Sequence, residues 1–314
     1  MGGTKILAAI INSKEGIIAR VKKPTPAGAK PGALIKALAE VVNQIITEAG
    51  LKLKNIKAVS LGIPGSLNPF TGRVGLAPNL GLKNFFIKDQ LEKLVNIPVL
   101  IENDVNLGAL GIKEFGVGKN KKNMLVVFVG TGIGGALIFD GKIYRGSSFT
   151  AGEIGHIVID KNGLKCGCGN YGCFETVASR LAIVRNIKLD IKAKKKTIIT
   201  KISGKNKPIK SKAIAAAVKA NDKVVVKRVS DACEVIGTTL ASLTNLLNVD
   251  EVVLGGGLIE ALGNFMTLKI RTAFNQNLLA ETAKAVKLVQ SKLGDDAALY
   301  GGIVLAEEFL GLKV

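Results

Sequence analysis

Between Ala151 and Glu175 the sequence AGEIGHIVIDKNGLKCGCGNYGCFE gathers the only histidine of the chain and three of its four cysteines. They fall in the order His156, Cys166, Cys168, Cys173. Three soft thiolates and one imidazole suit a tetrahedral structural zinc, and four protein ligands leave no open position for chemistry on the ion. Gly163, Gly167, Gly169 and Gly172 let the chain bend tightly enough to turn several ligands towards one centre. The competing reading is a disulfide or unrelated buried thiols. Cys-x-Cys is a poor spacing for a local disulfide, and nothing in the sequence points to an oxidising compartment. Two carboxylates, Glu153 and Glu175, flank the stretch and are better suited to a polar ligand beside the metal loop than to the metal itself. A structural zinc of this kind contributes roughly 10 kcal/mol or more to folding, so the loop reads as a stiff platform.

Two further kinds of residue could do chemistry. Glu102-Asn103-Asp104 closes a strand, Val99–Ile101, just where a helix begins, which is where α/β enzymes place polar side chains. An ordinary helix N-cap explains Asn and Asp there equally well. Two glycine-rich turns, Gly2-Gly3-Thr4 and Gly130-Thr131-Gly132, offer freed backbone N–H groups and a hydroxyl, the makings of an anion cradle. Either turn alone is weak, since tight hairpins need glycine anyway. Their matching places in the two halves of the chain count for more.

The elements that must position these groups are legible in outline. Ile6–Ile11 and Ile17–Val21, joined through Ser13-Lys14-Glu15-Gly16, read as a hairpin. Leu34, Leu38, Val41, Val42 and Ile45 carry helical spacing from Gly32 to Ala49, with Gly50 as its stop. A strand, Ile56–Gly62, runs into Ile63-Pro64-Gly65. Leu67–Leu82 reads as a long loop of functional length. Helices are expected near Lys88–Val95 and Val105–Phe115. A second hairpin is expected over Asn123–Gly130 and Gly135–Phe139, joined through GTGIGG. Beyond the cysteine stretch, Ser211–Ala220 and Asp222–Leu247 read as helices. The second has Val225, Val229, Ala232, Ile236, Leu240, Leu243 and Leu247 on one stripe and Cys233 beside it as an inert core thiol. Glu251–Leu254 is a strand ending in Gly255-Gly256-Gly257, and Asp295–Leu310 a final helix.

Composition narrows the function classes. At 314 residues the chain suits two domains, and 47% hydrophobic content supplies ample core without any run long enough to span a membrane. Its first apolar run, Ile6–Ile11, is too short for a signal peptide, so a cytoplasmic location is expected. The net charge of +20 invites a nucleic-acid reading, but aromatics are only 4% and there is no tryptophan. The lysines are spread along the chain, and their densest run, Lys188–Lys212, reads as a solvated face. Such a field would still draw a polyanionic substrate such as ATP or polyphosphate.

Taken together, these motifs resemble the ROK family, the sugar kinases, open reading frames and repressors of the actin-like ATPase superfamily. MGGTK resembles the tail of the family's first phosphate motif. VGTGIGGALIFDGKIYRGSSFTAGEIGH resembles its signature stretch, IENDVN its catalytic motif, CGCGNYGCFE its zinc motif and VVLGGGLI its nucleotide-side glycines. The resemblance covers essentially the whole chain. It implies an α/β, two-lobed actin-like ATPase (ribonuclease H-like) fold with mixed sheets flanked by helices. The N-terminal lobe would span 1–110, the C-terminal lobe 111–300, and a terminal helix, 301–314, would return to the first lobe. ATP and a hexose would lie in the cleft, with phosphorylation at the 6-hydroxyl and a glucokinase as the leading expectation. By the match, Asp104 would be the general base, and Gly65, Asn79, Asn103, Glu153, His156 and Glu175 would hold the sugar. Gly2, Gly3, Thr4, Lys5, Gly130, Thr131, Gly132, Gly134, Gly255, Gly256 and Gly257 would hold the nucleotide with magnesium. His156, Cys166, Cys168 and Cys173 would hold zinc, His156 serving metal and sugar alike. A homodimer or homotetramer is expected, with no membrane partner and nucleic acid disfavoured.

The sequence departs from the family at one point. The family's first motif carries an acidic residue two places before the glycine pair, preceded by a central strand, and this sequence starts at Met1. The N-terminal lobe is therefore expected to lack its first strand, either because the start is assigned late or because strand and carboxylate are lost. N-Acetylglucosamine, N-acetylmannosamine, mannose and fructose are alternative substrates on the same motifs. A sugar-responsive repressor and a non-catalytic sugar-binding protein are the competing classes.

Overall fold

A computed structural model describes every residue except Ser13, Lys14, Ala27, Ala29, Lys205, Asn206, Lys313 and Val314. The chain begins β1 (Lys5–Asn12), β2 (Gly16–Pro24), α1 (Pro31–Glu48), β3 (Val59–Ile63), β4 (Ser66–Asn68) and β5 (Arg73–Ala77). It continues through β6 (Leu82–Phe86), α2 (Ile87–Val95), β7 (Val99–Asn103), α3 (Asp104–Phe115), β8 (Met124–Val129), β9 (Ile133–Phe139) and β10 (Lys142–Tyr144). Helices then dominate: α4 (Phe174–Ala178), α5 (Arg180–Lys192), α6 (Ile199–Ser203), α7 (Ser211–Lys219) and α8 (Lys223–Leu247). The last elements are β11 (Glu251–Gly255), α9 (Gly257–Leu262), α10 (Asn264–Gln276), α11 (Ala280–Ala285), β12 (Lys287–Gln290) and α12 (Asp296–Leu310).

Two compact units result. The first comprises Met1–Lys119, Ile143–Ala151 and the chain from Asp295 onward; the second comprises Asn120–Lys142 and Gly152–Gly294. The boundary expected at 110/111 falls inside α3, which belongs whole to the first unit. The reason is packing, because α12 lies close along α3. A Cβ on Gly301 would strike the Leu107 carbonyl and one on Gly111 the Ala297 carbonyl, so only glycine at both places permits the approach.

In the first unit β1 and β2 form the expected antiparallel hairpin, with an irregularity between Ile10 and Ile11. Two residues of its expected turn, Ser13 and Lys14, lie outside the described residues. β3 pairs with β7 in parallel, Val59 opposite Val99 through Ile63 opposite Asn103. Among the described residues the β1–β2 pair and the β3–β7 pair are separate sheets. α1 buries Leu34, Ile35, Leu38, Val41, Ile45 and Ile46 into a core shared with Ile63, Val74, Leu91 and Ile101. The stretch Leu67–Leu82, expected to be a loop, is instead most of an antiparallel meander in the order β4-β5-β6. Strands of three and five residues carry too little alternation to read, and burial of Leu67, Val74, Ala77 and Leu82 is what fixes them.

The second unit is built on β8, which pairs antiparallel with β9 and parallel with β11; β11 in turn pairs parallel with β12. β8 and β11 are apolar along nearly their whole length, as strands covered on both faces must be. α8 lays Val225, Val229, Ala232, Ile236 and Leu240 into the core beside Cys233, whose thiol burial pushes up to about 12, in keeping with an inert core residue. Asp222 caps α8, accepting from the Val224 and Val225 amides. Every described lysine between Lys188 and Lys212 is exposed, so the basic run is the solvated face that its spacing suggests. Among the described residues no helix is long and apolar enough to cross a membrane.

Candidate active site

The first unit turns from strand to helix at the carboxyl end of β7, where the sequence places it, and the N-cap reading of that turn holds. Asn103 is the N-cap of α3: its Oδ1 accepts from the Val105 amide at 2.9 Å and the Asn106 amide at 3.2 Å. Its Nδ2 donates to the Gly65 carbonyl at 3.2 Å, tying the Gly65 turn to the cap. Asp104 is the first residue of the helix, partly exposed, and its Oδ1 accepts from the Val105 amide at 3.0 Å. Burial pushes the Asp104 carboxyl above its ordinary value; the charge of the Met1 ammonium and the Val105 amide pull it partly back. Burial lowers the Met1 amine in its turn, and this group donates to the Gly62 carbonyl at 2.8 Å. Among the described residues no lysine or arginine forms an ion pair with Asp104. A carboxylate whose burial outweighs the charge near it holds a proton more readily than an ordinary one, which suits a general base.

The other expected residues of this unit lie nearby in the fold. The Gly2 amide donates to the Lys5 carbonyl at 2.9 Å, and Thr25 Oγ1 donates to the Gly2 carbonyl at 2.6 Å, closing the turn that contains Gly3 and Thr4. Gly3 backs onto Asn79, where an added Cβ would meet the Asn79 Cβ and carbonyl oxygen at 3.1 Å. Asn79 itself is exposed on the single turn Pro78–Leu80. Lys5 Nζ pairs with Asp295 at 2.5 Å, so its charge is shared with an exposed carboxylate.

In the second unit the four expected metal ligands converge. His156, Cys166, Cys168 and Cys173 bring one donor atom each to within 4.8 Å of one another. His156 Nδ1 lies 3.6 Å from Cys166 Sγ, and Cys168 Sγ lies 3.6 Å from Cys173 Sγ, with no disulfide at any cysteine. Zinc–sulfur bonds of about 2.3 Å at tetrahedral angles set sulfurs about 3.8 Å apart, so the spacing fits zinc. The loop is shaped by backbone bridges, Val158 to Cys173 and Lys165 to Tyr171, and by the Cys166 amide donating to the Asn170 carbonyl at 2.7 Å. Without a metal charge, burial pushes the Cys166 thiol up to about 12, while the Asn170 amide draws the exposed Cys168 down. A bound dication removes that cost by holding the thiolates.

His156 presents its two nitrogens in different directions. Nδ1 faces the cluster, whereas Nε2 lies 3.9 Å from Glu153 Oε2. Glu175, on α4, has Oε1 3.2 Å from Cys166 Sγ and 3.9 Å from His156 Nδ1, and its Oε2 lies over Gly132. Glu175 therefore links the cysteine loop to the second glycine turn. That turn joins β8 to β9 and closes through the Gly130 amide donating to the Gly132 carbonyl at 2.9 Å. The Gly255–Gly257 stretch reaches the same place. Gly256, at φ +92°, would put a Cβ 2.7 Å from the Val129 carbonyl oxygen, so glycine alone lets the end of β11 close on the end of β8. Gly134 lies inside β9 opposite Phe128.

One contact escaped the sequence reading. Arg180 donates its amide to the Gly130 carbonyl at 3.0 Å, and its guanidinium donates to Thr131 Oγ1 at 2.8 Å and to the Ile209 carbonyl at 3.3 Å. A cation thus stands on the glycine turn that the sequence marks for anions. Ser179 before an apolar helical pattern announces the start of α5, but no spacing announces that Arg180 reaches back across 49 residues to Thr131.

The ROK family model matches residues 1–309, and the chain belongs to the ROK family. A glucokinase from Halalkalibacterium halodurans is 33% identical over 304 residues, covering 96% of this chain and 92% of that protein. A xylose repressor from Caldicellulosiruptor bescii is 31% identical over 272 residues, covering 87% of this chain and 68% of the repressor. Among solved structures, a ROK family glucokinase from Streptomyces griseus in complex with glucose and AMPPNP superposes with a TM-score of 0.86 at 30% identity, covering 98% of this chain and 97% of the other. The α/β architecture, with mixed sheets flanked by helices, is accordingly that of the ROK kinases in the actin-like ATPase superfamily.

Proposed function

We propose that this chain transfers the γ-phosphoryl group of ATP to the 6-hydroxyl of a hexose, with glucose the first substrate to test. The observation that carries the reading is Asp104, a carboxylate set at a strand-to-helix junction, raised in basicity by burial and unpaired with any described lysine or arginine. The match to a glucokinase over nearly its full length supports the same reading. As the new oxygen–phosphorus bond forms, Asp104 accepts the hydroxyl proton, and ADP departs with the electrons of the broken bond. Phosphoryl transfer has a loose transition state that asks for alignment and charge stabilisation more than for a strong base, so one carboxylate suffices.

Each unit has its share of the work. In the first, Asn103 spends its oxygen on the helix cap and one amide hydrogen on Gly65, leaving the second amide hydrogen for a sugar hydroxyl. Gly65 and Asn79 contribute from the neighbouring turns, and the Gly2–Lys5 turn serves the phosphates. In the second, Glu153, Glu175 and His156 Nε2 are the hydrogen-bonding groups for sugar hydroxyls. His156 Nδ1, Cys166, Cys168 and Cys173 would hold zinc, and that ligation would fix the histidine ring so that Nε2 keeps one direction. Thr131, the amides of the Gly130–Gly132 turn and Arg180 face the phosphates, and Gly255, Gly256 and Gly257 the nucleoside side. Magnesium supplied with ATP neutralises phosphate charge and needs few protein ligands of its own. A reducing, cytoplasmic setting keeps the thiolates available. A homodimer or homotetramer is the expected assembly, and light scattering reads it directly.

The match to a xylose repressor favours one second reading, a sugar-responsive regulator, for which a gel shift on promoter DNA with and without sugar is the test. A coupled assay for ADP release decides the leading reading, run over glucose, mannose, fructose, N-acetylglucosamine and N-acetylmannosamine. Direct product detection with polyphosphate in place of ATP settles the donor. Turnover with glucose and ATP is expected; no phosphorylated sugar from any pairing overturns the kinase.

A further inference from the structure

Arg145 lies in the first unit and faces two carboxylates and two rings. Its Nε donates to Glu102 Oε2 at 2.7 Å, and its two terminal nitrogens fork onto Glu308 of α12 at 2.8 and 2.9 Å. The guanidinium also lies beside a pair of touching rings, 5.8 Å from the Phe70 centroid and 5.7 Å from that of Phe309, whose own centroids are 5.4 Å apart. Only 11% of the Arg145 side chain and 2% of the Glu102 side chain reach solvent. The other oxygen of Glu102 is equally committed. Oε1 accepts from the Asn103 amide at 2.8 Å and from Asn106 Nδ2 at 3.0 Å. Glu102 therefore grips the chain on both sides of Asp104, and Arg145 fixes the orientation of Glu102.

We infer that Arg145 and Glu102 are positioning residues for phosphoryl transfer, acting through the Asn103–Asn106 turn to aim the Asp104 carboxylate. The inference rests on the kinase reading above. A fold alone gains little from such a device, because an ion pair taken out of water is commonly no better for stability than apolar residues of equal size. What a buried guanidinium fork does supply is fixed geometry: planar, bidentate on one carboxylate, and packed beside two rings. Displacing a catalytic group by about 1 Å costs about 100-fold in rate, so a rigid tie one residue before the base has a catalytic purpose that an apolar contact lacks.

Glu102→Gln and Arg145→Met each break the tie. Glutamine keeps an oxygen for Asn103 and Asn106, and methionine keeps apolar bulk beside the rings. Wild type, Asp104→Asn and these two variants are compared for kcat, for KM of glucose and ATP, for glucose Kd by calorimetry and for Tm. We expect both tie variants to lose about 10- to 100-fold in kcat with glucose Kd within about threefold of wild type. Arg145→Lys should recover part of the rate, since an ammonium reaches one carboxylate but cannot fork. The double variant should be no slower than the worse single, as expected for two groups acting through one link. Should Arg145→Met fail to fold, Glu308→Gln at the half-exposed end of the fork decides, with an expected kcat loss of about threefold at unchanged Kd. A wild type active on glucose, an inactive Asp104→Asn and tie variants within about twofold of wild-type kcat overturn this inference and leave the kinase standing. A wild type inactive on every hexose overturns both.

Discussion

Two buried or half-buried aspartates, one in each unit, are treated in opposite ways. Asp190 on α5 receives Arg228 Nε at 2.6 Å, Arg228 Nη2 at 2.8 Å and Lys195 Nζ at 2.7 Å. These cations hold its carboxyl far below the usual range. Asp104 pairs with no lysine or arginine among the described residues, and burial, only partly offset by the Met1 ammonium, drives its carboxyl the other way. On the kinase reading proposed above, the difference separates a charge that serves the fold from one that serves a reaction. Where a carboxylate only joins α5 to α8, full countercharge is the cheapest arrangement. Where it must take up and release a proton, matching it with a guanidinium would remove its basicity. On the zinc reading the cysteine cluster would be a third solution, in which the countercharge to three thiolates comes from a metal ion rather than from a side chain.

The largest effect that can break this comparison is on turnover. Asp104→Asn should lower kcat by about 10²- to 10⁴-fold, the range that a positioned base contributes, with glucose affinity little changed. Stopped assays for the phosphorylated sugar with calorimetry alongside measure both. A variant that keeps more than a tenth of the rate removes Asp104 from the role of base. The next effect tests the metal solution. Cys168→Ser should release zinc, lower Tm and weaken glucose binding, at a cost of several kcal/mol in folding free energy. Native mass spectrometry of the purified variant reads the metal directly, and an unchanged zinc content contradicts the assignment. Asp190→Asn, by contrast, should leave kcat alone and cost about 1–3 kcal/mol of stability, less than a fully buried pair because Lys195 is half exposed. The sign with pH follows from its depressed carboxyl. The ion-pair contribution is whole above the unfolded value near 4 and is lost as pH falls towards the folded one, so the gap between wild type and variant should narrow in acid. Denaturant unfolding at pH 7 and below pH 4 measures it; a constant gap contradicts the pairing.

How much of this was legible in the sequence depends on how far each residue reaches. The cysteine loop, the Gly130–Gly132 turn and Asn103-Asp104 are local: ligand types, glycines and a cap all lie within a few residues of one another, and each is found where the sequence puts it. The stripe on α8 is legible for the same reason, since a period of 3.6 over 25 residues leaves little else possible. The meander β4-β5-β6 is not, because its strands are shorter than the pattern that identifies a strand. Neither are Arg145 and Arg180. In a chain with 44 lysines and arginines, nothing marks the two whose partners lie 43, 49 and 163 residues away. Glu102 read only as the residue that ends a strand, and its grip on Asn103 and Asn106 depends on a buried partner that the sequence cannot show.

The smallest effect is the sharpest test of the contrast, because it asks whether Asp104 carries a cost that Asp190 does not. A carboxyl raised above its unfolded value means that ionisation opposes folding. The penalty is complete above the folded value, shrinks as pH falls through it, and vanishes below the unfolded value near 4. Asp104→Asn removes the charge without changing the shape, so the variant that loses turnover should be more stable than wild type at pH 7, with Tm higher by about 2 °C. That gain should fade as pH falls towards 4, whereas the Asp190 deficit holds down to about pH 4 and fades only below it. Two aspartate-to-asparagine changes should therefore move Tm in opposite directions at neutral pH and converge on wild type in acid. A destabilised Asp104→Asn at pH 7 would mean that the carboxylate is held by favourable contacts, as Asp190 is, and that the turn around it was built for the fold rather than for the proton.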